Sequence, residues 1–167
     1  MFFVNARAFI ERFVDGQREI VIQRRDKPGQ GASLLELPGG RIEPYEPLLT
    51  ALSREVMEET GLVVTEVEGA DTRIDTVGMD STFEVECIRP FAVYQTIHGP
   101  IDSVGSYFRC RAEGTLLEQG DDTSEIRWIP VAELRALFER DPLLFAPVDR
   151  AGVRFYLTIL EREGDCG

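Results

Sequence analysis

The sequence predicts a single α/β domain whose mixed sheet is covered by helices. Its 167 residues suffice for one sizeable core but not for two full domains. Strand-like and helix-like periodicities interleave along the chain without a linker, a repeat or a low-complexity stretch. A composition of 43% hydrophobic and 29% charged residues is that of a chain that buries a core on its own.

Residues 3–13 and 19–25 read as strands, and the Asp15-Gly16 pair between them is a hairpin-type turn signal. Residues 26–32 are a breaker-rich loop, followed by a third strand over 33–37 that Pro38-Gly39-Gly40 ends. Pro47 suits the first turn of a helix and Gly61 the position just past its end, so a helix is placed over 47–60. Leu48, Leu49, Leu52 and Val56 form its apolar face. Further strands are expected over 62–74, 84–96, 106–112 and 126–129. Pro130 followed by Val131, Leu134, Leu137 and Phe138 predicts a second amphipathic helix, and residues 148–162 a third.

Lys and Arg total 18 against 30 for Asp and Glu, a formal net charge of −12. Such a field repels polyphosphate backbones and anionic membrane surfaces, which disfavours bulk nucleic-acid binding. A small phosphorylated substrate stays compatible with it, because acidic clusters recruit divalent cations that reverse the local sign. Cys87, Cys110 and Cys166 are widely spaced, odd in number and free of any C-x-x-C pairing, which points to a reducing compartment rather than to zinc or disulfides. No apolar run approaches the ~20 residues that span a bilayer, and Arg7, Glu11 and Arg12 interrupt the N-terminal stretch. A cytoplasmic location with no membrane contact is the expectation.

The chemistry concentrates between Gly40 and Leu62. Glu55 lies one helical turn from both Glu58 and Glu59, so three carboxylates fan over one side of the expected helix. Like charges this close need a positive partner, and acids in a last helical turn also oppose the dipole. All-oxygen ligands point to Mg²⁺ or Mn²⁺. The competing reading is a solvated acidic helix end in which Arg54 pairs with Glu58 at i, i+4. Two neighbours weigh against it. Pro38-Gly39-Gly40 can bring a bare backbone carbonyl to the helix face, and Arg54 can reach Glu46 about two turns away and hold the acids in place.

The spacing G-x5-E-x7-R-E-[apolar]-x-E-E-x-G-[apolar], carried by Gly40, Glu46, Arg54, Glu55, Val56, Glu58, Glu59, Gly61 and Leu62, resembles the signature of the Nudix hydrolases. Tyr45 departs from it, since many members carry Gly there. The resemblance implies an α/β/α sandwich and metal-dependent hydrolysis of a nucleoside diphosphate linked to another group. It implies Glu55, Glu58 and Glu59 as metal ligands, a carbonyl from Gly39 or Gly40, and Arg54 orienting the glutamates, with Glu55 or a loop acid as base. Members often supply that acid just before a Trp-containing strand. Here the loop 118–125 precedes Trp128 and offers Asp122 first, then Asp121 and Glu118.

A Pro about fifteen residues past the motif, found in some ADP-ribose-cleaving members, is replaced by the region of Val77 and Gly78, and the extended motif of NADH-cleaving members is absent. The expected substrate is therefore a nucleoside triphosphate or a modified dNTP. An NDP-sugar or ADP-ribose pyrophosphatase and a non-catalytic nucleotide-sensing module are the alternatives, the intact glutamates counting against the last. The family often forms dimers, so a homodimer is among the states the resemblance admits. His98, the sole histidine, sits beside Gly99-Pro100 and reads as a surface turn residue. Tyr94, Tyr107, Phe108 and Trp128 read as core rather than as base-stacking rings.

Overall fold

The computed structural model describes residues 1–26 and 33–164. Strands β1 (Phe2–Val14) and β2 (Gln17–Arg25) form the expected antiparallel hairpin, Val14 opposite Gln17. Both turn residues carry positive φ, 50° at Asp15 and 80° at Gly16, the mirror-image turn whose twist matches that of paired strands. The loop expected over 26–32 lies, past Asp26, outside the described residues.

The next segment corrects the sequence reading. Only Leu35–Glu36 of the expected third strand pairs, as β3, and Pro38-Gly39-Gly40 does not end the sheet: Gly39–Arg41 is itself a strand, β4, antiparallel to β1 with Ala6 opposite Gly40. Gly39 has φ 136°, and a Cβ there would stand 2.4 Å from the Ala6 carbonyl oxygen, so glycine is what lets the two backbones pair.

Helix α1 (Leu48–Thr60) begins one residue later than expected, with Pro47 as its extended N-cap and Gly61, at φ 76°, closing it in the left-handed region. Pro47 offers no side-chain cap; the Leu48 N–H is instead satisfied by Glu86 Oε1 at 2.6 Å. Tyr45, just before the helix, is held at φ 63° and stands fully exposed, which explains why glycine suits this position.

The expected strands at 62–74 and 84–96 are broken into shorter pieces: β5 (Val63–Val67), β6 (Ile74–Asp75), β7 (Glu86–Cys87) and β8 (Ala92–Gln95), with a 3₁₀ turn over Ala70–Thr72. Gly69 causes one break, since it turns at φ 88° against the Arg89 carbonyl, and β6 and β7 then pair only with each other. Strand β9 (Asp102–Glu113) runs further than 106–112 in both directions because it has partners on both edges: β1 on one, β5 and β8 on the other. After β10 (Gln119–Gly120) come β11 (Thr123–Pro130), α2 (Val131–Arg140) and α3 (Pro147–Arg162).

Among the described residues the main sheet runs β10-β11-β2-β1-β9-β5, with β3, β4 and β8 at its sides. The β1–β9 pair is parallel and the others are antiparallel, so the sheet is mixed. Ala6, Ala8, Ile10 and Val21 pack with Leu52 and Val56 of α1 on one face. The alternate residues Phe9, Ile20 and Ile22 pack with Leu134 of α2 and Val153 and Tyr156 of α3 on the other. This is an α/β/α sandwich. The Phe9 and Tyr156 rings stack at 4.3 Å, a contact of about 0.5–1.5 kcal/mol beyond its buried area.

One buried ion pair ties the layers together. Arg7 of β1 places Nε 2.7 Å from Asp149 Oδ1 of α3 and donates from Nη2 to Oδ2 at 2.9 Å and to the Leu37 carbonyl at 2.8 Å. The Leu37 N–H donates to the same Oδ2 at 3.0 Å, and both charged side chains are buried. Among the described residues no helix is long and apolar enough to cross a membrane. Cys87 is exposed and Cys110 buried, both free, while Cys166 lies outside the described residues.

Candidate functional site

The acids of α1 divide according to helical geometry. At about 100° per residue, Glu59 lies ~40° from Glu55 on one side and Glu58 ~60° away on the other. Glu55 and Glu59 accordingly line a cleft of about 430 Å³ together with Glu36, Gly39, Gly40, Asp121 and Asp122, whereas Glu58 is half-exposed and does not line it. The three-carboxylate fan of the sequence is thus two acids in the cleft and one at its outer side. β4 brings its backbone hard against Glu55: a Cβ at Gly40 would stand 2.4 Å from Glu55 Oε2.

Arg54 is the hub of the outer half. It grips Glu46 with two bonds, Nε to Oε1 at 2.8 Å and Nη2 to Oε2 at 2.9 Å, and donates from Nη1 to Glu55 Oε1 at 2.8 Å and Glu58 Oε2 at 3.2 Å. Its Nη2 also caps the Arg41 carbonyl at 2.9 Å. The orienting pair expected between Glu46 and Arg54 is therefore present, and so is the Arg54–Glu58 contact of the competing reading. The bonds from Arg54, aided by the Glu43 N–H, hold the Glu46 carboxyl down at about 2. Burial raises Glu55, against the pull of Arg54.

Glu59 is only 9% exposed. Its Oε2 accepts from the Gly39 N–H at 2.8 Å and from Gln23 Nε2 at 2.7 Å. Burial, with the like charge of Glu36 beside it, pushes its carboxyl up to about 8 in spite of those donors.

The last carbonyls of α1 have no intrahelical partner, and the β10–β11 hairpin with the residue leading into it supplies one to each. Leu117 N–H donates to Thr60 O at 2.9 Å, Asp121 N–H to Glu58 O at 3.3 Å and Thr123 Oγ1 to Glu59 O at 3.3 Å. Gly120 permits this approach, since a Cβ there would lie 2.0 Å from the Glu59 oxygen. The segment read as a loop is consequently a tight hairpin pinned to the helix end. Asp121 and Asp122 enter the cleft wall, Asp122 at φ 52°, while Glu118 stays exposed and does not line the cleft.

Gln23 and Glu36, both buried, belong to the site and were missed by sequence reasoning. The available signal was a polar residue next to apolar ones: Gln23 directly after the run Ile20-Val21-Ile22, and Glu36 between Leu35 and Leu37. A second cavity of about 730 Å³ adjoins the cleft through Arg25, Glu36, Tyr94, Ile101 and Val148. Leu34, Ile97 and Pro147 make much of its wall, and His98 stands exposed at its rim on the β8–β9 turn. Tyr107 and Phe108 are core as expected, and Trp128 lies under the Arg12 guanidinium at 4.2 Å.

Among the described residues no three His, Cys, Asp or Glu side chains converge as a closed ligand set in this arrangement, for Arg54 draws Glu58 and one oxygen of Glu55 outward. The donors nonetheless suit a hard divalent cation. They are all oxygens, and the crowded pair Glu59 and Glu36 is the kind of buried negative charge that such an ion relieves.

Comparison with known proteins agrees with this geometry. Two curated relatives, both carrying the name "Putative 8-oxo-dGTP diphosphatase" (numbered 2 in the second case), come from Bacillus subtilis (strain 168) and Mycobacterium tuberculosis (strain CDC 1551 / Oshkosh). They are 39% identical over 54 residues and 31% identical over 70, stretches that cover 32% and 42% of this chain and only 33% and 50% of theirs. The solution structure of the E. coli ORF135 protein shares the fold, with a TM-score of 0.61 at 21% identity over 95% of this chain and 90% of that one. The profile of the NUDIX domain matches residues 4–147, a span that includes all the acids of the cleft, and the chain therefore belongs to the NUDIX domain family.

Proposed function

We propose that the protein is a divalent-metal-dependent pyrophosphohydrolase that cleaves a nucleoside diphosphate linked to another group, its substrate a nucleoside triphosphate or a modified dNTP. The observation that carries this reading is the continuity of the two hollows: a carboxylate-lined cleft against glycine backbone opens into a largely apolar cavity of about 730 Å³, a size suited to a nucleoside. The names of the two partial relatives support an oxidised purine dNTP as the modified substrate.

Glu55 and Glu59, with Glu58 from the outer side and a Gly39 or Gly40 carbonyl, would hold Mg²⁺ or Mn²⁺. Such an ion, when bound, neutralises pyrophosphate charge and makes a hydroxide-like nucleophile of water. The chain's own residues do the rest. Arg54 fixes Glu55 through the rigid grip on Glu46, and its 3.2 Å bond to the half-exposed Glu58 is one that is released at little cost. Arg25, at the junction of the two hollows, offers a cation to the phosphates while the base sits beyond it. Asp122, in the cleft wall, takes the proton of the attacking water as it adds in line. No covalent intermediate is needed.

Phosphate and pyrophosphate release should be measured over a panel of NTPs, modified dNTPs, NDP-sugars and dinucleotides, with and without Mg²⁺. EDTA should abolish activity, and Mg²⁺ or Mn²⁺ restore it. Full turnover by a rigorously metal-stripped enzyme would sink the mechanism. Within the cleft wall, Asp122→Asn is expected to lower kcat by ~10²-fold or more with KM little changed, as for a residue that acts in the transition state. Asp121→Asn should do less, and Glu118→Gln, outside the cleft, nothing. Equal, unchanged kcat values for all three would move the base onto α1, to Glu55.

A further inference from the structure

Gln23 is fully buried on β2 beneath the cleft. Its Nε2 donates to Glu59 Oε2 at 2.7 Å and, more loosely, to Glu36 Oε1 at 3.3 Å. Its own Oε1 is buried and, among the described groups, has no hydrogen-bond partner. An orphaned acceptor in a protein interior is costly and needs a reason. Turning the amide over would not relieve it, because Oε1 would then face two carboxylate oxygens. The nitrogen is locked toward the acids, and the unpaired oxygen is the consequence of that lock.

The lock acts on one oxygen of Glu59. Gln23 Nε2 and the Gly39 N–H both bind Oε2, at 2.7 and 2.8 Å, so neither donor engages Oε1 of this cleft-lining residue. We infer that Gln23 is a positioning residue, whose amide clamps Glu59 so that Oε1 meets a divalent cation in the cleft. This inference rests on the metal-dependent reading of the cleft. It adds to it a residue outside the Gly40–Leu62 motif that sets the ligand geometry.

The test is Gln23→Met in the full chain, a side chain of similar length without the amide. It removes the orphaned acceptor, which offsets the loss of a donor to Glu59, whose Oε2 keeps the Gly39 N–H, so the melting temperature should change little. Mn²⁺ binding without nucleotide, followed by the EPR signal of free Mn²⁺ or by calorimetry, should weaken by ~10- to 100-fold. kcat should fall while KM for the nucleotide changes little. Gln23→Asn, with the amide withdrawn by one methylene, should weaken Mn²⁺ binding likewise and serves if the Met variant does not fold. Mn²⁺ affinity and kcat within twofold of wild type in a folded variant would overturn the inference. So would a large loss of melting temperature in both variants, which would assign Gln23 to the fold. Wild-type protein that neither binds Mn²⁺ nor hydrolyses any nucleotide would overturn the proposed function itself, and this inference with it.

Discussion

Glu59→Gln is expected to lower kcat by at least ~10²-fold while the protein stays folded. The substitution keeps the shape of the side chain and both of its donors, Gly39 N–H and Gln23 Nε2, still find an oxygen. What it removes is the negative charge that Glu59 could present to a cation beside Glu36. Melting temperature should hold or rise, because a neutral amide avoids the desolvation cost of a buried carboxylate. Glu58→Gln should also reduce kcat by this order if Glu58 joins the ligand set, although Glu58 has no buried neighbour of its own to satisfy. Steady-state kinetics in saturating Mg²⁺, paired with thermal melts, checks both. Near wild-type turnover in both variants would make the α1 acids structural and favour a module that senses a nucleotide without cleaving it.

The second large effect is on stability. Asp149→Ala is expected to destabilise the fold by about 3–5 kcal/mol, the usual result of removing one partner of a buried ion pair. Arg7 would then keep its charge in the interior with only the Leu37 carbonyl and the more distant Glu36, 3.7 Å away, to satisfy it. The Leu37 N–H would lose its acceptor as well. Urea unfolding with a free fit of the slope would measure this, and a loss below about 1 kcal/mol would show that the layers are held by their apolar contacts alone.

The elements that could be read from the chain are those with a local cause. The Asp15-Gly16 turn, the Gly61 helix stop and the Arg54–Glu46 pairing each follow from residues close in sequence, and each stands where its spacing places it. Where the cause is distant, the reading falters. Pro38-Gly39-Gly40 has the local chemistry of a turn and becomes a strand only because β1 lies alongside it. The ranking of Asp122 over Glu118 could not be derived from the helix, since it depends on which N–H groups of a hairpin reach the open carbonyls of α1. Gln23 and Glu36 carry no motif at all; they become part of the site because β2 and β3 pair with Gln23 opposite Glu36. The division of labour between Glu58 and Glu59 was contained in the 3.6-residue period, but it needed the position of β4 to decide which side faced inward.

The parallel pairing of β1 with β9 has a consequence for how the chain comes to be folded. Phe2 aligns with Asp102 and Ile10 with Cys110, so β1 has its long-term neighbour about a hundred positions further along the chain. At roughly 5–20 residues per second, an interval on the order of 5–20 s separates the emergence of the two from the ribosome. β2 follows at once and protects one margin of β1 by forming the hairpin. The other margin, a row of free backbone N–H and C=O groups, is bare for that whole interval, because β4 pairs with Asn5, Ala6 and Arg7 on the same side as β2. A nascent strand of thirteen residues with one open margin is what edge-to-edge aggregation recruits. The refolding of this protein should therefore be slow for its size, limited by closure of the loop that joins β1 to β9, and its yield should depend on protein concentration more steeply than its final stability would suggest.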